Sequence, residues 1–285
     1  MSIAAYCQTV SQRLEKISAT ARLDAQVLVA HVMGVNRAWV LAHQDAGLTP
    51  EQAQRLEEAL VQLEAGDPLP YVLGYWEFFG LEFEVSPAVL IPRPETELLV
   101  ERVLEWQRAH PKPRLGVDVG TGSGCVAVAL AANDPYLRVV ACDISGDALA
   151  VARNNLQKHN VCDDIDLVNC DLLSAFPRKP ASSPPFDFIC ANLPYIPTEI
   201  LKELSVSKSE PWKALHGGLD GLETIRELLQ TAPKQLAPGG MLLMEIEASL
   251  GAQAKKLALA AFPGANVYVL RDIAGHERLV VVETA

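Results

Sequence analysis

The segment Asn192-Leu193-Pro194-Tyr195 combines groups that could hold a planar amide or an aromatic amine, and it directly follows an apolar run at 186–191. The Asn side chain offers a carbonyl oxygen as a hydrogen-bond acceptor, and the Tyr ring offers a flat surface on which a planar group can stack. The proline stiffens the turn. The same residue types also form ordinary exits from a strand into a turn, so both interpretations stay open for this segment alone.

A glycine-dense turn lies about 70 residues upstream, where the apolar segment 115–119 runs into Gly120-Thr121-Gly122-Ser123-Gly124 and then into the apolar segment 125–132. A strand that enters a helix through such a turn lets the backbone approach a nucleotide-like ligand closely. A dinucleotide-binding turn would have the pattern G-x-G-x-x-G, whereas this turn has G-x-G-x-G. The spacing therefore disfavours a pyrophosphate, and a turn that only packs a helix against a strand is the alternative.

An acidic residue, Asp143, ends the next predicted strand and stands nineteen residues after Gly124. A carboxylate in this place can accept hydrogen bonds from both hydroxyls of a ribose, although it could also only cap the helix that follows. A cofactor that contains ribose but no pyrophosphate fits both the glycine turn and Asp143. S-adenosylmethionine is the candidate that these two features favour.

Composition limits the class of protein. The chain has 285 residues, of which 49% are hydrophobic, enough for one large and one smaller globular domain. Its formal net charge of -11 argues against a broad basic surface, so no direct nucleic-acid partner is expected. The histidines show no metal-ligand spacing, and no metal site is expected.

Targeting and cysteine patterns predict a cytoplasmic location. Residues 1–17 lack the basic start and the apolar stretch of a secretory signal. No segment approaches the ~20 apolar residues that cross a bilayer, so no membrane contact is expected. The six cysteines form no C-x-x-C pair and are expected to be reduced thiols, most of them buried.

The first part of the chain, 1 to about 70, has apolar residues at helical spacing and predicts a small helical bundle. In the segment that follows and ends near residue 90, Phe79 and the apolar residues that alternate after it predict a β-hairpin between two domains. The third predicted helix has complete start and stop signals: Thr49 as N-cap, Pro50 at the first helical position, Gln52 to complete a capping box, and Gly66 at the end.

From residue 114 onward, predicted strands and helices alternate, which indicates a doubly wound α/β domain. The glycine turn, Asp143, Asp171 and Asn192 then fall at the carboxyl ends of successive strands, where such sheets bind ligands. The last two strands are joined by a connector too short for a parallel crossover, so they are expected to be antiparallel. The Pro- and Ser-rich segment 177–185 is predicted as a surface loop. The strands are predicted at 115–119, 138–142, 165–169, 186–191, 241–246, 265–270 and 279–283, and the helices at 123–132, 146–159, 221–236 and 248–261.

The chain resembles the HemK/PrmC family of S-adenosylmethionine-dependent methyltransferases over nearly its whole length. The resemblance implies a seven-stranded class I (Rossmann-like) methyltransferase domain at 91–285, an N-terminal helical substrate-recognition domain at 1–70 and a connecting β-hairpin linker at 71–90. Arg93 and Glu97 could contact the cofactor or only start the following helix. The motifs that carry the resemblance are Leu90-Ile91-Pro92-Arg93-Pro94-Glu95-Thr96-Glu97, Asp118 to Gly124, Asp143-Ile144-Ser145, Glu210-Pro211, Gly217-Gly218-Leu219-Asp220-Gly221, and Asp272 with Gly275 and Arg278.

The same resemblance implies a reaction, the transfer of a methyl group from S-adenosyl-L-methionine to the side-chain amide nitrogen (N5) of a glutamine. That glutamine belongs to the Gly-Gly-Gln motif of class I peptide-chain release factors, which are the expected protein partners, and the chain is expected to be a monomer. The residues implied as catalytic are Asn192, Leu193, Pro194 and Tyr195, and those implied as cofactor-binding are Gly120, Thr121, Gly122, Ser123, Gly124, Asp143, Asp171, Leu172 and Asn192.

Leu193 departs from the family motif N-P-P-Y, in which a proline follows the asparagine. In the family's arrangement, the Asn side-chain oxygen and the backbone carbonyl of the next residue accept the two amide hydrogens of the target glutamine. Any residue supplies that carbonyl, and a residue before proline is biased toward extended conformations. Leu193 is therefore expected to preserve the geometry with a less rigid turn.

Other functions stay open at this point. An Asn-x-Pro-Tyr pocket also suits an exocyclic amine of adenine or guanine in a flipped base, although the acidic charge weighs against nucleic acid. A glutamine of a ribosomal protein is a related substrate that no sequence feature excludes. A nicotinamide-dependent oxidoreductase would share Asp143 but predicts G-x-G-x-x-G, and a binding module without catalysis would not need Asn192 or Tyr195.

Overall fold

The computed structural model describes residues 1–176 and 186–285. The chain divides into two compact units, Met1–Tyr75 and Trp76–Ala285. The segment 177–185, predicted as a surface loop, lies outside the described residues. No helix within the described ranges combines the length and the apolar character needed to span a membrane.

The first unit is helical, as predicted. The capping box of Thr49 and Gln52 is present, and Gly66 ends that helix with a φ of 105°. This helix is the fourth of the unit rather than the third, because a six-residue helix capped by Asn36 precedes it. A helix that short has too few turns to show a periodic apolar pattern. The helices are α1 (Ile3–Leu14), α2 (Ala21–Met33), α3 (Arg37–Ala42), α4 (Pro50–Ala65) and α5 (Leu69–Leu73).

The predicted hairpin is formed by β1 (Tyr75–Phe78) and β2 (Leu81–Glu84). Phe79 and Gly80 have φ values of 52° and 69°, as in a two-residue type I′ turn. Phe79 therefore lies in the turn and not on the alternating apolar face to which the sequence pattern assigned it. Phe78 and Phe83 are buried in the apolar core of the second unit.

The second unit is an α/β domain. Its helices are α6 (Glu97–Ala109), α7 (Cys125–Asn133), α8 (Gly146–Lys158), α9 (Thr198–Glu203), α10 (Trp212–Leu215), α11 (Glu223–Thr231) and α12 (Gly251–Ala261). Its strands are β3 (Arg114–Val119), β4 (Leu137–Asp143), β5 (Ile165–Asn169), β6 (Phe186–Ala191), β7 (Leu236–Glu245), β8 (Asn266–Arg271) and β9 (Glu277–Glu283).

These strands form one seven-stranded sheet in the order β5-β4-β3-β6-β7-β9-β8. The first five strands of that order are parallel, and β9 pairs antiparallel with both β7 and β8. The predicted seven-stranded methyltransferase-type fold and the antiparallel final pair are thus confirmed. The helix predicted at 221–236 is shorter, because a 3-10 turn at Ala232–Lys234 contains Pro233 and breaks the α-helical bonding.

Each face of the sheet has its own apolar core, which strand β4 shows clearly. Val139 and Ala141 pack on one face with α6, α7 and the hairpin, whereas Val140 and Cys142 pack on the other face with α11 and α12. This alternation is the two-residue period of a strand buried on both faces. Because both faces are covered, the carboxyl ends of β3, β4, β5 and β6 meet at one firmly supported edge.

Candidate active site

A cavity of about 570 Å³ lies at this edge of the sheet, and the residues that follow β3, β4, β5 and β6 line it. Gly124 and Tyr195 lie outside its lining. Across residues 1–176 and 186–285, no group of three or more His, Cys, Asp and Glu side chains could hold a metal ion. The predicted site residues that line the cavity are Gly120, Thr121, Gly122, Ser123, Asp143, Asp171, Leu172, Asn192, Leu193 and Pro194.

The glycine turn is tied to β4 through its backbone, since the Gly120 N–H donates to the Cys142 carbonyl at 2.9 Å. Gly120, Gly122 and Gly124 have φ values of 73°, 55° and 80°, in the left-handed region that favours glycine. A Cβ on Gly122 would meet nothing within 4 Å, so the turn offers bare backbone to the cavity there. A Cβ on Gly124 would lie 3.3 Å from the Ala152 Cβ, so Gly124 serves the packing of α8.

Asp143 joins the glycine turn to the start of α8. Its Oδ2 atom accepts a hydrogen bond from the Gly122 N–H at 2.9 Å, and its Oδ1 atom accepts one from the Ser145 N–H at 2.8 Å. Burial raises the pKa of this carboxyl, while the Ser145 and Gly122 N–H groups oppose the rise. Each carboxylate oxygen has further acceptor capacity, so both can also bind a ligand hydroxyl.

Two more polar groups of the cavity wall are buried beside the turn. Asp118 accepts a hydrogen bond from the Thr121 hydroxyl at 2.6 Å, and burial raises the pKa of Asp118 to about 6. The hydroxyl of Ser123 has no hydrogen-bond partner within the described part of the chain. An unpaired buried hydroxyl is costly, and a ligand in the cavity can satisfy it.

The segment after β5 forms another part of the wall. Leu172 has a φ of 46°, which is uncommon for a residue other than glycine. The thiols of Cys142 and Cys170 donate to the Leu172 carbonyl, with sulfur–oxygen distances of 3.3 and 3.2 Å. These two contacts help to hold the Leu172 peptide in its left-handed conformation, next to the exposed Asp171.

Asn192 is held by a residue that the sequence pattern did not assign to the site. Its Nδ2 atom donates to the Oγ1 atom of Thr96 at 3.0 Å. Thr96 is 3% exposed and belongs to the 3-10 turn Pro94–Thr96 that precedes α6. Because this bond uses the amide nitrogen, the amide oxygen of Asn192 is the atom that can accept a hydrogen bond from a ligand.

A smaller cavity of about 100 Å³ adjoins the larger one, and Asn192 and Leu193 line both. We call these two residues the shared wall. Tyr195 lines only the smaller cavity, so the four motif residues divide between two spaces instead of facing one. A large and a small cavity that share the amide group of Asn192 suit a cofactor next to an acceptor group. The other residues that line both cavities are Leu90, Arg93 and Ala214.

A glycine from a distant loop holds the exit of β6. A Cβ on Gly217 would lie 2.6 Å from the Tyr195 Cα and 2.8 Å from the Pro194 carbonyl oxygen, so this approach requires glycine. The Gly217 N–H donates to the Ile196 carbonyl at 2.9 Å, and the Ile196 N–H donates to the Leu215 carbonyl at 3.0 Å. The loop therefore fixes the backbone that carries Tyr195.

Arg93 and Glu97 have different places. Arg93 lines both cavities and forms an ion pair with the buried Glu210, whose other oxygen accepts the Ile91 N–H at 3.1 Å. Glu97 lines neither cavity, and its carboxylate accepts the Phe79 N–H at 2.8 Å in the hairpin turn. Of the two, Arg93 is the one next to the candidate site.

Asn155 is another positioning residue that the sequence pattern did not reveal. This fully buried side chain donates to the Ser123 carbonyl at 2.9 Å and to the Glu84 carbonyl at 3.0 Å, and it accepts the Glu84 N–H at 2.7 Å. One residue of α8 thus connects the glycine turn to strand β2. Its partners stand 32 and 71 positions away in sequence, so no local spacing points to them.

Comparison with protein families gives two matches along the chain. The model of the PrmC N-terminal domain matches residues 6–74, and a methyltransferase domain model matches residues 117–205. A release factor glutamine methyltransferase of Moorella thermoacetica is 42% identical over 90% of this chain and 89% of the relative. One of Bradyrhizobium diazoefficiens is 36% identical over 98% of this chain and 94% of the relative.

Among solved structures, the T. thermophilus 16S rRNA N2 G1207 methyltransferase, in complex with AdoMet and guanosine, superposes with a TM-score of 0.54. It is 18% identical and the match covers 74% of this chain and 50% of that chain. At this level of identity, the likeness concerns the fold alone.

Proposed function

Because the chain belongs to the family of release factor glutamine methyltransferases, we propose that its larger cavity binds S-adenosyl-L-methionine and its smaller cavity receives the target glutamine. The target is the glutamine of the Gly-Gly-Gln motif in a class I release factor. The observation that carries the proposal is the shared wall of Asn192 and Leu193, which lines both cavities. A methyl group can pass directly between two ligands that meet at such a wall.

The larger cavity suits S-adenosyl-L-methionine in size and in polar groups. Its volume of about 570 Å³ lies within the ~300–1,000 Å³ of small-ligand sites. Asp143 keeps acceptor capacity on both oxygens for the ribose hydroxyls, and the Ser123 hydroxyl has no partner among the residues described. We assign the turn Gly120 to Gly124 to cofactor contact, and Asp171 and Leu172 to the adenine, where Leu172 offers apolar side-chain contact.

When bound, S-adenosyl-L-methionine supplies an electrophilic methyl group on a positively charged sulfur. The acceptor nitrogen is a poor nucleophile because its lone pair is delocalised into the amide carbonyl. We propose that the Asn192 amide oxygen and the Leu193 carbonyl oxygen accept its two N–H bonds, and we call this pair the amide clamp. The clamp aims the nitrogen at the cofactor and favours the positive charge that develops on it. The N–C bond forms as the S–C bond breaks, the sulfur becomes neutral, and one of the two amide protons leaves to water. Tyr195, in the smaller cavity, fixes the amide plane.

Packing supports the backbone at Leu193, where the family motif has a proline. The Leu193 side chain is 4% exposed and belongs to the core on the α11 and α12 face of the sheet. Pro194 adds a bias toward extended backbone at the residue before it. Without the proline ring the unfolded chain has more conformational freedom, which lowers the free energy of unfolding by about 1 kcal/mol or less. Leucine in place of proline therefore lowers the stability slightly, but it leaves the position of the Leu193 carbonyl, which the clamp needs, unchanged.

We also propose that residues 1–70 recognise the release factor and that 71–90 link them to the catalytic domain. The match of the PrmC N-terminal domain model to residues 6–74 supports this assignment. In this proposal, one part of the chain selects the protein partner, and a different part, 91–285, carries out the methyl transfer.

The proposal is tested by incubating the purified protein with methyl-labelled cofactor and a class I release factor, followed by peptide mapping. We expect one methyl group on the Gly-Gly-Gln glutamine, and none on a release factor in which alanine replaces that glutamine. Parallel reactions contain ribosomal proteins or nucleic acid. Label found only in those reactions would contradict the proposed substrate.

A further inference from the structure

A buried carboxyl group lies behind the shared wall, outside both cavities. Strands β6 and β7 pair with Ala191 opposite Met244, so the next residues, Asn192 and Glu245, are neighbours at the ends of these strands. Glu245 is 3% exposed, and its Oε2 atom has no hydrogen-bond partner in the described ranges. A carboxyl group that is buried with one oxygen unpaired is costly to keep, which calls for a role beyond packing.

Glu245 is linked to both substrate-facing side chains of the motif. The hydroxyl of Tyr195 donates to its Oε1 atom over a long distance of 3.4 Å. The Thr96 hydroxyl adjoins the Glu245 side chain and opposes the rise of its pKa, and the same Thr96 oxygen accepts the Asn192 amide at 3.0 Å. Asn192, Thr96 and Glu245 thus lie side by side, from the cavities into the buried interior, and we call these three residues the relay.

The hydroxyl group of Thr96 has a single hydrogen, and the residue to which it donates that hydrogen determines which way the Asn192 amide is turned. When Thr96 donates that hydrogen to the Glu245 carboxylate, its oxygen can only accept from Asn192, so the Asn192 nitrogen turns toward Thr96. The Asn192 oxygen then faces outward as an acceptor. When Glu245 is protonated it can donate to Thr96, which frees the Thr96 hydrogen for Asn192. The Asn192 amide would then turn its NH₂ group outward, toward the N–H donors of a glutamine.

We propose that Thr96 and Glu245 are positioning residues that hold Asn192 with its amide oxygen toward the substrate, and that the ionised form of Glu245 selects this orientation. The proposal rests on the amide clamp described above. It adds a second requirement to the clamp, because the asparagine must not only be present but must also be turned the right way.

The surroundings of Glu245 place its titration near neutral pH. Burial is the largest influence and raises its pKa to about 7, and the charge of Glu95 adds to the rise. The hydroxyl groups of Thr96 and Tyr195 and the charge of Arg278 act in the opposite direction. The ionised form gains over the protonated form as the pH rises through this value, so the transfer rate should rise with pH.

The test measures single-turnover methylation of a release factor at saturating S-adenosyl-L-methionine, from about pH 6 to about pH 8. Thr96→Val removes the hydroxyl with little change of volume, and we expect a roughly 10- to 100-fold slower rate with cofactor affinity nearly unchanged. Thr96→Ser keeps the hydroxyl and should restore most of the rate. Glu245→Gln should remove the rise of rate with pH, whereas Glu247→Gln, on a carboxylate two residues away, should keep it.

Two outcomes separate this inference from the proposed function. If the natural protein labels no glutamine, the proposed function itself fails. If the natural protein labels the glutamine but Thr96→Val keeps its rate, or Glu245→Gln keeps the natural pH profile, the relay is overturned and the function stands. Should Thr96→Val fail to fold, the pH profile of Glu245→Gln alone decides.

Discussion

The N–H group of Gly122 donates to the Oδ2 atom of Asp143 at 2.9 Å, which joins the glycine turn and the end of β4 into one ligand-facing unit. The Ser145 N–H holds the other carboxylate oxygen at 2.8 Å from the start of α8. Backbone donors on both sides thus fix the carboxylate before any ligand arrives. Binding of a ribose should therefore depend strongly on this one side chain.

Asp143→Ala should weaken S-adenosyl-L-methionine binding by roughly 10- to 100-fold, because hydrogen bonds to a charged group contribute about 1.5–3 kcal/mol. Isothermal titration calorimetry measures the dissociation constant. Asp147→Ala removes an exposed carboxylate four residues along the chain and should leave the constant nearly unchanged. Equal affinity of Asp143→Ala and the natural protein would remove Asp143 from the ribose site.

Asn155→Leu should destabilise the catalytic domain and also weaken cofactor binding. The change keeps the branched shape of the side chain but leaves the Ser123 carbonyl and both backbone groups of Glu84 without their partner. We expect the free energy of unfolding to fall by about 3 kcal/mol, measured by urea denaturation. The dissociation constant of the cofactor should rise at least about fivefold because the glycine turn loses its support.

Asn154→Ala is the matched control for this variant. Asn154 stands next to Asn155, but among the described residues its side chain bonds to the side-chain carboxylate of Glu84 alone, at 3.0 Å. Its loss should change stability by less than about 1 kcal/mol. Similar effects of the two substitutions would contradict the assigned role of Asn155.

The elements that end at the site could be predicted because their signals are local. Strand β4 has apolar residues between charged and turn-forming neighbours, and the glycine turn breaks the pattern directly after β3. Once the strands are predicted to be parallel, the residues at their carboxyl ends, such as Asp143 and Asn192, are predicted to lie at the ligand site. The short helix α3 was missed because six residues do not show a helical period.

The supports of the site could not be predicted in the same way. Thr96 and Asn192 bond across 96 positions, and the neighbourhood of Asn192 and Glu245 depends on the register of β6 against β7. Such contacts exist only after the chain has folded. Tyr195 lines only the smaller cavity, whereas Asn192 lines both. This difference depends on the direction of the backbone after β6, and the four residue types of the motif do not determine that direction.

Gly217→Ala should slow methyl transfer without a matching loss of cofactor affinity. A Cβ there would lie 2.6 Å from the Tyr195 Cα, so the backbone of the motif must move. A displacement of this kind can reduce the rate by roughly 100-fold. Gly146→Ala, where a Cβ meets nothing within 4 Å, is the control and should keep the natural rate. An unchanged single-turnover rate in Gly217→Ala would show that the loop does not hold Tyr195 in place.

Asp118 should make the natural protein lose stability relative to Asp118→Asn as pH rises from about 4 to about 6. Burial raises the pKa of Asp118 to about 6 from an ordinary 3.8, so the folded state retains a proton that the unfolded chain releases. The associated stabilisation is complete below the unfolded pKa and is lost as pH rises through the folded pKa. The difference in free energy of unfolding between the two proteins should change by roughly 3 kcal/mol across this window. A constant difference in urea denaturation would contradict the buried, proton-retaining state of Asp118.

Single-turnover methylation by Asn192→Ala at saturating cofactor tests the amide clamp most directly. We expect a rate at least about 100-fold slower than that of the natural protein, with the dissociation constant of S-adenosyl-L-methionine changed less than about threefold. Asn154→Ala, on an exposed asparagine away from both cavities, should keep the natural rate. Retained turnover by Asn192→Ala on the Gly-Gly-Gln glutamine would contradict the clamp.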